Sequence, residues 1–148
     1  MQKFVRVGLV LAMLAVLSGT LIPSASATGS VQIYKIYFNS PGSDTRSNSS
    51  LNAEYVVIKN KGTSNRSLGS WTVRDAAGHV YRFGTFTLRA GYSVTLHTGK
   101  GTNNSTHRYW GQSNYIWNNT GDTAYLKNSS GTTQDYCRYS GSGSYVYC

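Results

Sequence analysis

Side chains able to do acid–base or covalent chemistry are few in this sequence, and their spacing assembles no working set. The histidines His79, His97 and His107 fall in different loops or on outward strand positions, where a surface or turn role is expected. "HTGK" (97–100) has the look of a phosphate-handling loop but lacks the Gly-rich strand-to-helix setting that makes one. Five acidic residues, Asp44, Glu54, Asp75, Asp122 and Asp135, are too scattered to supply the paired carboxylates of a glycoside hydrolase. No G-x-S-x-G, H-E-x-x-H or Cys–His nucleophile pair occurs. Cys137 and Cys148, the two cysteines, make a poor metal set. The expectation is a protein without catalytic residues, metal or cofactor, with a small secreted hydrolase as the second alternative.

Binding chemistry is better represented. Twelve tyrosines and three tryptophans exceed what one small core can hold, so several must face solvent, and exposed aromatics beside Arg and Asn are how modules stack sugars or bases. "THRYWGQSNYIW" (106–117), read as a connecting loop, is the richest stretch and offers Arg108, Tyr109, Trp110 and Tyr115 as ligand contacts. The tail "YCRYSGSGSYVYC" (136–148) is the second. Aromatics of both stretches could equally cap the ends of a β-sandwich, and "WNNTGDTAYL" (117–126) could be a ligand loop or a sandwich corner.

Strands must carry these residues. Apolar residues nowhere keep helical spacing for more than about a turn, whereas alternation recurs along the chain. "VQIYKIYF" (31–38) predicts the first strand, and Pro41 and Gly42 keep 39–50 as a loop. In "AEYVVIKN" (53–60), Val56 and Ile58 point to the core while Tyr55, Val57 and Lys59 point away. "LGSWTVRD" (68–75) brings Trp71 and Val73 onto one face, and "HVYRF" (79–83) returns as a hairpin whose turn needs a positive φ at Gly78. Val94 and Leu96 face inward with Ser93, Thr95 and His97 outward; Ala124 and Leu126 likewise oppose Thr123, Tyr125 and Lys127. "TTQDYCRY" (132–139) closes the series. Seven or so short strands predict an all-β domain of two packed antiparallel sheets.

The N-terminus predicts export. "MQKFVR" carries Lys3 and Arg6, an apolar run follows to Ile22, and Ala25 and Ala27 occupy the small-residue positions of a cleavage site. Residues 1–27 read as a secretory signal peptide, too short and too interrupted to span a membrane, and 28–148 as one secreted, extracellular domain. In an oxidising space Cys137 and Cys148 form a disulfide, worth about 3 kcal/mol in the chain-entropy account. Of fourteen Lys and Arg, losing Lys3 and Arg6 leaves twelve against five acids, a net charge of +7. That favours polyanionic partners such as nucleic acid, teichoic acid or acidic glycans. The basic residues are scattered singly, so the pattern sets neither one patch nor an oligomeric state.

Four stretches, "EYVVIKN" (54–60), "LGSWTVRDAAGHVYRF" (68–83), "LRAGYSVTLHTGKG" (88–101) and "WNNTGDTAYLKNSSGTTQDYC" (117–137), together resemble the lamin tail domain in its bacterial secreted form. The resemblance implies an immunoglobulin-like antiparallel β-sandwich. It also implies a non-catalytic binding or adhesion module, with a protein, a glycan or a polyanion, nucleic acid among them, as ligand. By this likeness 117–126 is the family's corner: Trp117 covers one end of the core, Asn118, Asn119 and Gly121 supply turn conformations, and Asp122 accepts hydrogen bonds from loop N–H groups. Two positions depart from the family pattern, Ser70 where Gly usually precedes the first Trp and Ala90 where Pro usually precedes Gly. Both bear on local turn geometry rather than on the fold.

Overall fold

Strand alternation builds two layers. The computed structural model describes residues 30–148, which contain in order β1 (Val31–Tyr37), α1 (Asn48–Asn52), β2 (Tyr55–Asn60), β3 (Arg66–Ser67), β4 (Thr72–Arg74), β5 (Val80–Arg82), β6 (Thr87–Leu88), β7 (Ser93–His97), β8 (His107–Tyr109), β9 (Asp122–Lys127), β10 (Thr133–Tyr139) and β11 (Tyr145–Tyr147). A five-stranded sheet runs β11-β1-β2-β7-β8, a four-stranded sheet β10-β9-β4-β5, and β3 pairs with β6. Between the two larger sheets lie Ile36, Val56, Ile58, Val94 and Leu96 from the first and Val73, Ala124 and Leu126 from the second, all essentially inaccessible. This is the expected all-β, immunoglobulin-like sandwich, with the expected residues of β2, β7 and β9 turned inward.

Three local expectations are corrected. The segment 39–50 ends in a helix, α1, because Ser47 caps it by accepting from the Ser50 N–H and Leu51 is buried beneath it. Pairing is not wholly antiparallel: β8 runs parallel to β7. With β8, part of the stretch 106–117 is strand rather than connecting loop. The signal-peptide expectation for 1–27 lies outside the described residues.

The two departures from the family pattern differ in their consequences: one carries strain and the other makes a hydrogen bond. Ser70 sits at φ +63°, a left-handed conformation that suits glycine, while its N–H donates to Phe83 O and its carbonyl accepts from Arg82 Nη1. Ser70→Gly is therefore expected to raise stability by up to about 1 kcal/mol, read as a higher urea midpoint at unchanged slope. Ala90 donates its N–H to Asn65 Oδ1 at 3.0 Å, a bond proline has no hydrogen to make.

Carboxylates are turned inward to hold backbone. Glu54 is wholly buried and accepts from the N–H groups of Trp117 (2.6 Å) and Ile116 (3.1 Å), tying the start of β2 to the segment before β9. Burial pushes its carboxyl up to about 7, against the opposing pull of those donors. Asp75, also wholly buried, closes the β4–β5 turn by accepting from the N–H groups of Gly78 and His79 and pairing with His79 Nδ1 at 2.5 Å. Gly78 there has the expected positive φ, +104°. Asp135 accepts from the Ile33 N–H, freed where the β1–β2 register shifts between Ile33 and Lys35.

Candidate functional site

The four residues that the sequence offers as ligand contacts do not meet in one place. On β8, Arg108 and Tyr109 point to opposite faces: the Arg108 guanidinium lies 4.2 Å from the centre of the Phe86 ring, while Tyr109 is outward beside His97. Trp110 is half-buried against the core, with Tyr81 at 5.9 Å and Trp117 at 6.1 Å between ring centres. Tyr115 Oη lies 2.6 Å from Ser50 Oγ, which joins it to α1.

At the corner, Trp117 is buried at one end of the core and Trp71 packs half-buried against it. Asp122 accepts from the N–H groups of Ala76, Thr123 and Asn118 and from Asn118 Nδ2, so it joins its own loop to the β4–β5 turn. Tyr139 Oη donates to the Asn118 carbonyl at 2.9 Å, and burial, then the nearby Asp122, Glu54 and Asp75 carboxylates, push its phenol upward, so it stays a donor. Gly121, at φ +134°, has a position for Cβ only 3.0 Å from the Tyr139 carbonyl oxygen, so any side chain there is strained. Asn119 is exposed.

What the structure gathers is the outer face of the five-stranded sheet. Register places Tyr145, Tyr37, Tyr55, His97 and Tyr109 side by side, one from each of β11, β1, β2, β7 and β8. Their ring centres are 5.8, 5.3, 5.9 and 5.0 Å apart in that order. In the adjacent row, Tyr147, Lys35, Val57, Thr95 and His107 follow the same strands. The Lys35 ammonium sits among four rings, 4.2 Å from the centre of Tyr145, 5.2 Å from Tyr147, 5.4 Å from Tyr37 and 5.9 Å from Tyr55. Lys59 lies 5.1 Å from Tyr34, which the shift in β1 leaves outward beside Lys35.

Ring geometry limits how this face makes contact. Two rings lying flat and edge to edge would hold their centres more than ~6 Å apart, given carbon contacts of about 3.5–4 Å. Tyr37 and Tyr55 are near-parallel at 5.3 Å, too close to lie flat side by side, so they form an offset stack with their planes tilted out of the sheet. Part of each face is taken up by the neighbouring ring and by the Lys35 ammonium, which leaves less flat ring surface open for stacking. Aromatic edges carry the positive part of the quadrupole, so the row and its lysines present positive potential outward.

At the far end, hydrogen bonds order the two histidines. The Asn52 carbonyl can only accept, so His97 Nδ1, at 2.7 Å, carries its proton. His97 Nε2 then accepts from His107 Nδ1 at 2.9 Å. Burial lowers the His97 basicity, the Asn52 carbonyl opposes that, and nearby His107 lowers it again. The sequence places these two histidines apart because only the parallel pairing of β7 and β8 brings them together.

Cys137 and Cys148 are bonded, and the Cys148 N–H donates to Tyr34 O. The bridge anchors β11, an edge strand held on one side alone. Cys148→Ser is expected to cost about 3 kcal/mol and to release Tyr145 and Tyr147 from the face, read by denaturation and by loss of cross-strand NOEs between Tyr145 and Tyr37.

A family model described as Lamin Tail Domain matches residues 24–141. The chain belongs to the lamin tail domain family. No curated protein matches its sequence. Lamin tail domains are non-catalytic, immunoglobulin-like modules. Among the described residues of this lamin tail domain, no helix is long and apolar enough to cross a membrane, and no group of three or more His, Cys, Asp or Glu could hold a metal ion. Of its five acids, Glu54, Asp75 and Asp122 are buried, Asp135 is half-buried on a backbone N–H, and Asp44 is exposed. None stands on the outward positions of the five-stranded sheet.

Proposed function

We propose that this lamin tail domain is an exported, non-catalytic binding module whose outer five-stranded face holds a phosphodiester chain, such as DNA or teichoic acid. The observation that carries this reading is the aromatic row crossing all five strands around Lys35, on a face without a carboxylate. Rings stacked on one another and on Lys35 offer hydroxyls and edges more than free flat stacking surfaces, which suits phosphate oxygens better than bases. The binding is therefore directed at the backbone and is indifferent to base sequence. Export is supported by the leader-like N-terminus and by the Cys137–Cys148 bridge.

The test is a salt-titrated binding series of the oxidised protein against duplex DNA, single-stranded DNA, teichoic acid and a neutral glycan. If Lys35 and Lys59 each neutralise one phosphate, the log–log salt slope is at least about −1.4 for single strands and about −1.8 for a duplex. The two DNA arms and the teichoic acid arm separate the sources of the phosphodiester. Salt-insensitive binding to the neutral glycan would overturn the reading.

A further inference from the structure

Arg108 leaves the aromatic face and enters a cleft of about 520 Å³ between the β3–β6 pair and β8. Its guanidinium is stacked on Phe86, which fixes its orientation, and its Nε is shielded from solvent with no acceptor among the described residues. No carboxylate among the described residues pairs with the Arg108 guanidinium. A desolvated donor without an acceptor is costly, and an anionic group from outside is the natural partner for the rest of the fork.

The other walls narrow the class of ligand. Phe86 and Leu88 are buried and give an apolar floor. Tyr92, 59% exposed, stands at the rim, and Arg89 supplies a second guanidinium. Asn65, Ser105 and Thr106 add amide and hydroxyl groups. The cleft is far larger than a bare oxyanion needs and falls within the ~300–1,000 Å³ of small-molecule sites. An apolar floor, a rim ring, hydroxyl-matching groups and two guanidinium forks without an acid are the complement of a sugar ring that carries a carboxylate.

We infer that this cleft is a second binding site, separate from the aromatic face, for a carboxylate-bearing sugar unit of the hexuronate type. Arg108 binds the carboxylate bidentately, Arg89 adds charge from the rim, and Tyr92 covers the sugar ring.

The experiment is a nitrogen-15 NMR titration of the oxidised protein with glucuronate, with glucose and inorganic phosphate as separate arms. Glucuronate is expected to shift the Arg108 side-chain signal and the Phe86 and Tyr92 amides saturably, with glucose and phosphate at least about tenfold weaker. Arg108→Lys, which keeps the charge and loses the fork, should weaken glucuronate about tenfold or more, the worth of a charge-assisted hydrogen bond. Arg82→Lys, on the other sheet, should leave it unchanged. If Arg108→Lys fails to fold, Arg89→Ala, which removes the rim charge, is read instead and should weaken glucuronate about threefold or more. Equal binding of phosphate and glucuronate, shifts spread over the whole basic surface, or undiminished affinity in both variants would overturn the site without touching the reading of the aromatic face.

Discussion

Glu54→Ala is expected to lower stability by about 3–5 kcal/mol, because it leaves the Ile116 and Trp117 N–H groups buried without an acceptor and opens a void where a wholly inaccessible side chain stood. For a domain of this size that is roughly 10–20 °C in Tm. Glu54→Gln should also destabilise, since its amide nitrogen would face a second donor. The carboxyl has a sign of its own. Its folded value of about 7 lies above the ordinary 4.5, so between those pH values the native state holds a proton that the unfolded chain has released. This group's contribution is complete below pH 4.5 and is lost as pH rises through 7, by about 3 kcal/mol. Subtracting the Glu54→Gln stability curve from that of the parent isolates the slope; a difference that is flat from pH 4.5 to 8 would contradict it.

Lys35→Ala combined with Tyr147→Ala is expected to weaken polyanion binding about 100-fold at constant salt, from a lost charge-assisted contact and a lost aromatic neighbour each worth about 1.5 kcal/mol. Lys35 sits amid four rings and Tyr147 lies directly opposite it on β11, so the pair removes the centre of the face. Arg82→Ala is the charge-matched control. It removes the same single positive charge from β5 in the other sheet and should change affinity by no more than about twofold. Equal losses from the two substitutions would mean that net charge alone attracts the ligand.

Much of the fold is legible in the sequence because a half-buried strand records its two faces residue by residue. Val56 and Ile58, Val94 and Leu96, and Ala124 and Leu126 all lie inward as alternation requires. What alternation cannot carry is partnership between distant strands. The parallel neighbour β8 and the edge strand β11 are each three residues long, and their places in the sheet are set by non-local pairing. Helix α1 has five residues and one buried side chain, too little for a periodic signal.

The candidate site was hidden for the same reason. Its row takes one residue from each of five strands, and Tyr109 is the single member that the dense aromatic stretch 106–117 contains. Tyr145 and Tyr147 belong to the second aromatic stretch, while Tyr37, Tyr55 and Lys35 lie in strands that read as ordinary. Lys35 is outward because an extra residue enters β1 after Ile33, and an unbroken alternation would have given it a different neighbourhood. Glu54 precedes β2 as one charged residue, and its burial follows from where residues 116 and 117 return.

The most direct measurement is an NMR map of a short phosphodiester chain, a base-mixed single-stranded DNA oligonucleotide, on the oxidised protein at physiological salt. Shifts concentrated on Lys35, Tyr37, Tyr55, His97, Tyr145 and Tyr147 are the predicted result. Shifts distributed over Arg66, Arg74, Arg82 and Arg138, with the aromatic row undisturbed, would contradict the assignment of the outer face as the binding site.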